Sequence, residues 1–526
     1  MRRKIFFLCS LLLVAVSPAK AQDDPKAAGA AIDTIVRVFS EYEIVDRFVA
    51  DIYKKFEKDT KKGPILAARI AKAYYNYVMV PGNPTPQYHR RDVPKALEYL
   101  NKAIALDPKY AQSYLVASDL FYNEAKIDTA LIWLDKGIAE NPTDSSLYIE
   151  SAKLLAFSDP DAAVQKLMVL KERDSTFQVD LQLGRLYFTL WDKHGKTPMV
   201  EMATSYGKVF DSADRDKMNL RDFGAYAYAL RWALDMGNER FDRLYEGMNY
   251  AIKRFPNDYA LKHYLLYGCT QSQRWDDGIL AAQSIFAMPD SVKRVFNVDD
   301  HLWYATCIGG KKRYVDAVTE YERVLTMEDA SANQKLTAEN LIDKTVGSQV
   351  KDLCDMGEFE QASAAIAPYI LRSRENGKQN DALVSSHAKI YMDWSEELNG
   401  QEKIDVIAKG VKVYEEAIPY ASESNAPIFL YYSLAYSAAY LDPKFEKDLG
   451  LPYAEQLIKL LAGQNDLSAS RKSFLVQAYR YMMMYEIYKE KKNYKKAAMA
   501  YAEKMLDLDE TNADALRIIS ILSGRK

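Results

Sequence analysis

Two stretches of this chain match each other 34 residues apart. Ala96, Leu97, Leu100, Lys102, Ile104, Ala105 and Pro108 recur as Ala130, Leu131, Leu134, Lys136, Ile138, Ala139 and Pro142, and Ala103 becomes Gly137. Ala96, Leu100, Ala103 and Leu106 lie three or four apart, so they share one helix face. Small residues at Ala96 and Ala103 let a neighbouring helix approach closely, and Leu100 fills the space between. Pro108 and Pro142 follow Asp107 and Asn141, where one helix must stop and another begin. Proline lacks the amide proton that a helix interior needs but suits a first turn. Between the two copies, Tyr114, Ala117, Ser118 and Phe121 again keep helical spacing.

That pattern resembles the tetratricopeptide repeat (TPR), a helix–turn–helix unit of this period. The resemblance implies an all-α fold, an α-solenoid of stacked TPR-like hairpins winding as a right-handed superhelix. It also implies a binding function. Groove residues in such arrays come from the first helix of each repeat, on the face away from the second. By that rule the candidates are Asp119, Tyr122 and Asn123 in one unit and His263, Tyr267 and Gln271 in another. The run Tyr481-Met482-Met483-Met484-Tyr485 also falls on a first helix. TPR domains that clamp a C-terminal carboxylate need Lys and Asn where Leu115 and Asp119 stand, so that activity is not supported.

Met1–Ala21 reads as a cleaved secretory signal peptide. Arg2-Arg3-Lys4 is its basic start, Ile5 to Val16 an apolar run too short to span a bilayer, and Ala19-Lys20-Ala21 the cleavage site. Cys9 lies inside the apolar run, which argues against a lipid anchor. Residues 22–63 are expected as an N-terminal helical cap, with Ser40 and Glu43 as a capping box. Residues 64–335 form the TPR array. An insertion at 81–94, rich in proline and glycine, interrupts it and is predicted to be a loop. Residues 336–512 are a more divergent array, and 513–526 a C-terminal capping helix. No strand alternation is visible, and no later segment is long and apolar enough to cross a membrane.

Charge excludes a nucleic-acid binder. The sequence holds 70 Lys and Arg against 73 Asp and Glu, and loss of the leader removes four of the basic residues. The charges are interspersed, without a basic stripe. The histidines (His89, His194, His263, His301, His387) lack metal spacing and read as isolated surface or loop residues. Cys269, Cys307 and Cys354 fall near the ends of successive first helices, where a small apolar side chain packs well; a Cys269–Cys307 bridge stays open as an alternative. Gly309-Gly310-Lys311 has no preceding strand and reads as a helix–helix turn, not a phosphate loop.

The expected protein is therefore a non-enzymatic scaffold without metal or cofactor, exported to the periplasm or envelope of a bacterium. It would bind a protein or peptide partner in its groove, as a component of an envelope complex. The alternative is a glycan-binding surface protein of the SusD type, which also joins TPR helices to many aromatics. Tyrosine, at 38 residues, is the compositional excess.

Overall fold

Asp92 and Pro94 decide where the first strict repeat begins. The Asp92 carboxylate accepts a hydrogen bond from the Lys95 amide at 3.1 Å, and Pro94 sits in the first turn of helix Val93–Leu106. Asp107 then turns extended and closes the helix. The Tyr114 hydroxyl donates to the Pro108 carbonyl at 2.9 Å; 34 residues on, the Tyr148 hydroxyl donates to the Pro142 carbonyl at 3.0 Å. The same bond ties each inter-helix turn to the helix after it. Gly137 has its reason here as well: a Cβ on it would stand 2.8 Å from Tyr114 Cγ, inside van der Waals contact.

The computed structural model describes residues 24–38, 42–78, 87–156, 158–194, 198–289, 297–375, 377–464, 466–490 and 493–524. The expected signal peptide 1–21, Ser40 of the expected capping box and residues 81–86 of the insertion lie outside them. The chain divides into two compact units, Met1–Gly268 and Cys269–Lys526. The first holds α1 (Pro25–Val38), α2 (Tyr42–Tyr53), α3 (Gly63–Tyr74), α4 (Val93–Leu106), α5 (Ala111–Asn123), α6 (Ile127–Glu140), α7 (Ser145–Leu155), α8 (Pro160–Arg173), α9 (Val179–His194), α10 (Met199–Phe210), α11 (Leu220–Trp232) and α12 (Glu239–Arg254). The boundary falls within α13 (Tyr259–Gln271). The second unit continues with α14 (Trp275–Phe286), α15 (Asn297–Gly310), α16 (Tyr314–Thr326), α17 (Ala332–Asp355), α18 (Phe359–Glu375), α19 (Asp381–Glu396), α20 (Gly400–Ala417), α21 (Ala426–Tyr436), α22 (Leu451–Leu461), α23 (Ala469–Lys489), α24 (Tyr494–Leu508) and α25 (Ala513–Leu522).

The fold is an α-solenoid of TPR-like hairpins, as the period requires. Its core is a row of local clusters made by neighbouring helices, such as Tyr114, Ala130, Leu134, Leu147 and Tyr148. Such a core grows by stacking, each unit covering the apolar face of the one before. Every Leu-sized side chain buried this way contributes about 1.5–3 kcal/mol.

Two expectations are corrected. The 81–94 insertion contains a strand: β2 (Gln87–Arg91) pairs antiparallel with β1 (Tyr75–Val78), which precedes the insertion, with Tyr75 opposite Arg91. A segment that leaves α3 and returns to α4 must satisfy its own backbone, and an antiparallel ladder does so. Arg90 anchors the ladder. Its guanidinium lies over the rings of Tyr42 and Tyr74, at 4.3 and 4.4 Å, and bonds Asp46 at 3.0 Å. The histidines are the second correction. Among those whose side chains are described, His263 and His301 are buried and His387 is half-buried. His301 pairs with Glu320, and His387 bonds the Ser363 hydroxyl at 2.8 Å.

Cys269 and Cys307 carry free, buried thiols. Both abut Gly278, where a Cβ would collide with Cys307 Sγ. Burial pushes the Cys269 thiol up to about 12 and the Cys307 thiol up to about 11, so both stay protonated near neutrality.

Candidate functional site

Within the first unit, first and second helices differ in spacing. The first helices α3, α5, α7, α9 and α11 each touch the next in that series, whereas α4, α6 and α8 make no comparable contacts with one another. Like elements come closest on the inside of a bend. The first helices therefore form the inner layer of this unit.

Three clefts have first-helix residues in their walls, two of them with second-helix residues as well. A cleft of about 700 Å³ lies between α1, α3 and α5. Lys26 and Arg37 reach it from α1, Arg69 and Lys72 from α3, Gln112 and Val116 from α5. Arg69 is neutralised, donating to Asp33 at 2.8 and 3.0 Å. Lys26, Arg37 and Lys72 are exposed and have no ion-pair partner among the described residues, so this cleft is cationic.

A smaller cleft of about 350 Å³ lies between α7, α8 and α9, with Ile149, Lys153, Leu167 and Arg185 on its wall. Arg185 is held by a bidentate pair to Asp222, at 2.9 and 2.7 Å. Asp222 is 2% exposed and also closes the N-terminal capping box of α11 with Asn219. The Asp222 hydrogen bond raises the Arg185 pKa further, which fixes its charge and aim.

The third cleft, about 750 Å³, is aromatic. Trp191 of α9, Met199 and Glu201 of α10, Tyr228 and Trp232 of α11, and Asp235 beyond it form its wall. Trp191 and Tyr228 have ring centroids 4.6 Å apart, Tyr228 and Trp232 6.5 Å apart. Trp232 is 50% exposed and Leu234 66%.

The candidates read from sequence meet this layer unevenly. Asp119 and Asn123 lie on the stripe of α5 that contains Gln112 and Val116, at the next helical spacings. The Asn123 amide donates to the Asp119 carbonyl at 2.7 Å and its carboxylate at 3.1 Å. Tyr122 is 45% exposed. The second trio does not form one group. His263 is 1% exposed, between the rings of Tyr259 and Tyr264, and has no face to offer a ligand. Tyr267 is half-buried against Phe241 and beneath the Arg231 guanidinium. Gln271 is exposed but belongs to the second unit. In the Tyr481–Tyr485 run, Tyr481, Met482, Met483 and Tyr485 are buried core residues, so that run is no groove.

Sequence reading missed the cationic cleft because Lys26 and Arg37 precede the repeats, so no repeat offset pointed to them. It missed the aromatic cleft for want of a rule for Trp191 and Trp232, although an exposed tryptophan ending a first helix was a usable signal. What these clefts offer is charge, ring faces and amide groups, the means of binding. Among the described residues no group of three His, Cys, Asp or Glu could hold a metal ion, and no helix is long and apolar enough to cross a membrane.

No protein-family model and no curated protein matches the sequence. Solved structures that resemble it include the C-terminal part of a TPR repeat-containing protein from Cytophaga hutchinsonii, at 18% identity over 54% of this chain and 99% of that one, with a TM-score of 0.30. Naa15/Naa10 bound to HypK-THB is similar at 13% identity over 94% of this chain and 65% of that one, TM-score 0.27. The TPR domain of P58(IPK) is similar at 14% identity over 74% and 94%, TM-score 0.20. At such scores these likenesses add no weight; the assignment of TPR-like hairpins rests on the repeated tyrosine–proline bonds and the two-helix period.

Proposed function

We propose that this chain is a non-enzymatic scaffold, exported to the cell envelope of a bacterium, that holds an extended protein segment along the first helices of its Met1–Gly268 unit. The observation that carries the reading is the row of three clefts, each with first-helix residues in its wall. A peptide gains most where side-chain pockets recur along one face. Export rests on the leader-like Met1–Ala21 alone. The glycan-binding alternative loses support, because helical hairpins run on to Leu522 where that architecture calls for a large non-repeat region.

The test is crosslinking in intact cells, followed by mass spectrometry, on the natural chain and on two variants. Lys72→Glu reverses charge in the cationic cleft, and Gln112→Trp fills it. Both positions are exposed, so both variants should fold. A partner captured by the natural chain and lost from both supports the reading. A partner retained by both contradicts binding on this layer, and loss of the leader with no change in cell fraction contradicts export.

A further inference from the structure

The aromatic cleft has a chemistry that narrows what it can hold. Its wall sets Trp191, Tyr228 and Trp232 beside two carboxylates, Glu201 and Asp235. Both carboxylates are exposed, and neither has an ion-pair partner among the described residues. An aromatic face attracts a cation through its quadrupole, tryptophan most strongly, and partial desolvation between rings strengthens the attraction. Two carboxylates at the rim, with no ion pair among the described residues, add a field of the same sense. One of these rings already meets a cation inside the chain: the Arg231 guanidinium stands 5.4 Å from the Trp232 ring. Arg231 and Arg240, whose guanidinium donates to the Ala233 and Leu234 carbonyls at 3.4 and 3.0 Å, stand beside the cleft; on its wall, among the described residues, the charged side chains are Glu201 and Asp235.

We propose that this cleft is the subsite for a lysine or arginine side chain of the partner segment, a step that rests on the scaffold reading above. Selectivity comes from the pairing of two features. Rings alone would accept any apolar side chain, and carboxylates alone any cation at the surface; together they favour a cation on an aliphatic stem, which lies along the rings with its charge at the rim.

The experiment titrates the purified full chain with fluorescein-labelled peptides of alternating lysine and serine, with glutamate–serine and glutamine–serine peptides as comparisons. The lysine peptide should bind and the others should not. Trp232→Ala should weaken that binding by about tenfold. The Glu201→Gln, Asp235→Asn double variant should weaken it and flatten its salt dependence. Asp128→Asn, an exposed acid of α6, should change nothing, which separates the cleft from the general acidity of the chain. Should Trp232→Ala fail to fold, Trp232→Phe and the double variant decide. Equal binding to the natural chain and to all cleft variants overturns the subsite. So does equal or tighter binding of the glutamate or glutamine peptide, which leaves the scaffold standing. Failure of every peptide to bind overturns the subsite too, while the crosslinking above decides the scaffold separately.

Discussion

The hairpins of Val93–Leu155 and those of Ala332–Glu396 solve one packing problem in different ways. In the first region the helices run 11–14 residues, and the two turns between one hairpin and the next are fixed by the tyrosine–proline bond. In the second, α17 runs 24 residues, α18 holds Pro368 within it, and no 34-residue match survives. There the facing helices are joined by side-chain polar bonds. Ser363 of α18 meets both His387, at 2.8 Å, and Tyr391 of α19, at 2.6 Å, and Asn380 reaches Asp343 at 2.5 Å. A strict period is one means of stacking hairpins; a half-buried polar network is another, and it places titratable groups between helices.

The sharpest break in the comparison is Gly137→Ala. The new Cβ presses on the Tyr114 ring, whose hydroxyl is pinned to Pro108, so relaxation is restricted. A loss of about 2–3 kcal/mol in a denaturant titration is expected. A loss near zero would mean that the regular hairpins are not tightly packed.

Next in size is a pH effect confined to the second region. Burial, then repulsion from Arg374, holds the His387 pKa down to about 4. A histidine whose folded pKa lies below its unfolded value of about 6.5 favours the folded state above 6.5 and loses that stability as pH falls towards 4. The loss is about 1–2 kcal/mol, reduced for the part of the ring that meets solvent. His387→Gln should keep a bond to Ser363 without the proton, so its stability should fall less than that of the natural chain between pH 7 and pH 4.5. Asp343, raised by burial, pulls the other way in both proteins and cancels in the comparison. Parallel pH profiles would remove His387 from the account.

Smaller still is Tyr114→Phe, which deletes the turn bond and should cost about 1 kcal/mol. The smallest effect has the opposite sign. Gly347, within α17, has open space where a Cβ would go. Gly347→Ala should stabilise the second region by about 0.5–1 kcal/mol through helix propensity and unfolded-chain entropy. Thermal melts of the two glycine variants, run together, would show whether glycine is structural in one region and incidental in the other.

What was legible in the sequence follows the same division. Where Ala96, Leu100, Ala103 and Pro108 recur, the helices stand where the spacing puts them, and the Ala513–Leu522 helix at the end is also found. The β1–β2 ladder was hidden because its strands are four and five residues long, β1 running straight on from α3 and a single residue separating β2 from α4. The inner stripe of α5 was found through Asp119 and Asn123. His263 was misplaced because periodicity gives a residue's angle on a helix but not how deeply its neighbours cover it; Tyr259 and Tyr264 do that here. The cationic and aromatic clefts depend on side chains from helices far apart in sequence, a relation that no local pattern contains.

The central claim is that the first-helix layer of the Met1–Gly268 unit binds a partner. Photo-crosslinking residues placed singly at Lys72, Gln112, Tyr122 and Trp232, and for contrast at Ile132 and Met168 on second helices, test it most directly in living cells. A shared crosslinked partner is expected from the first group and none from the second. Equal crosslinking from Ile132 and Met168, or none from the inner positions, would contradict it.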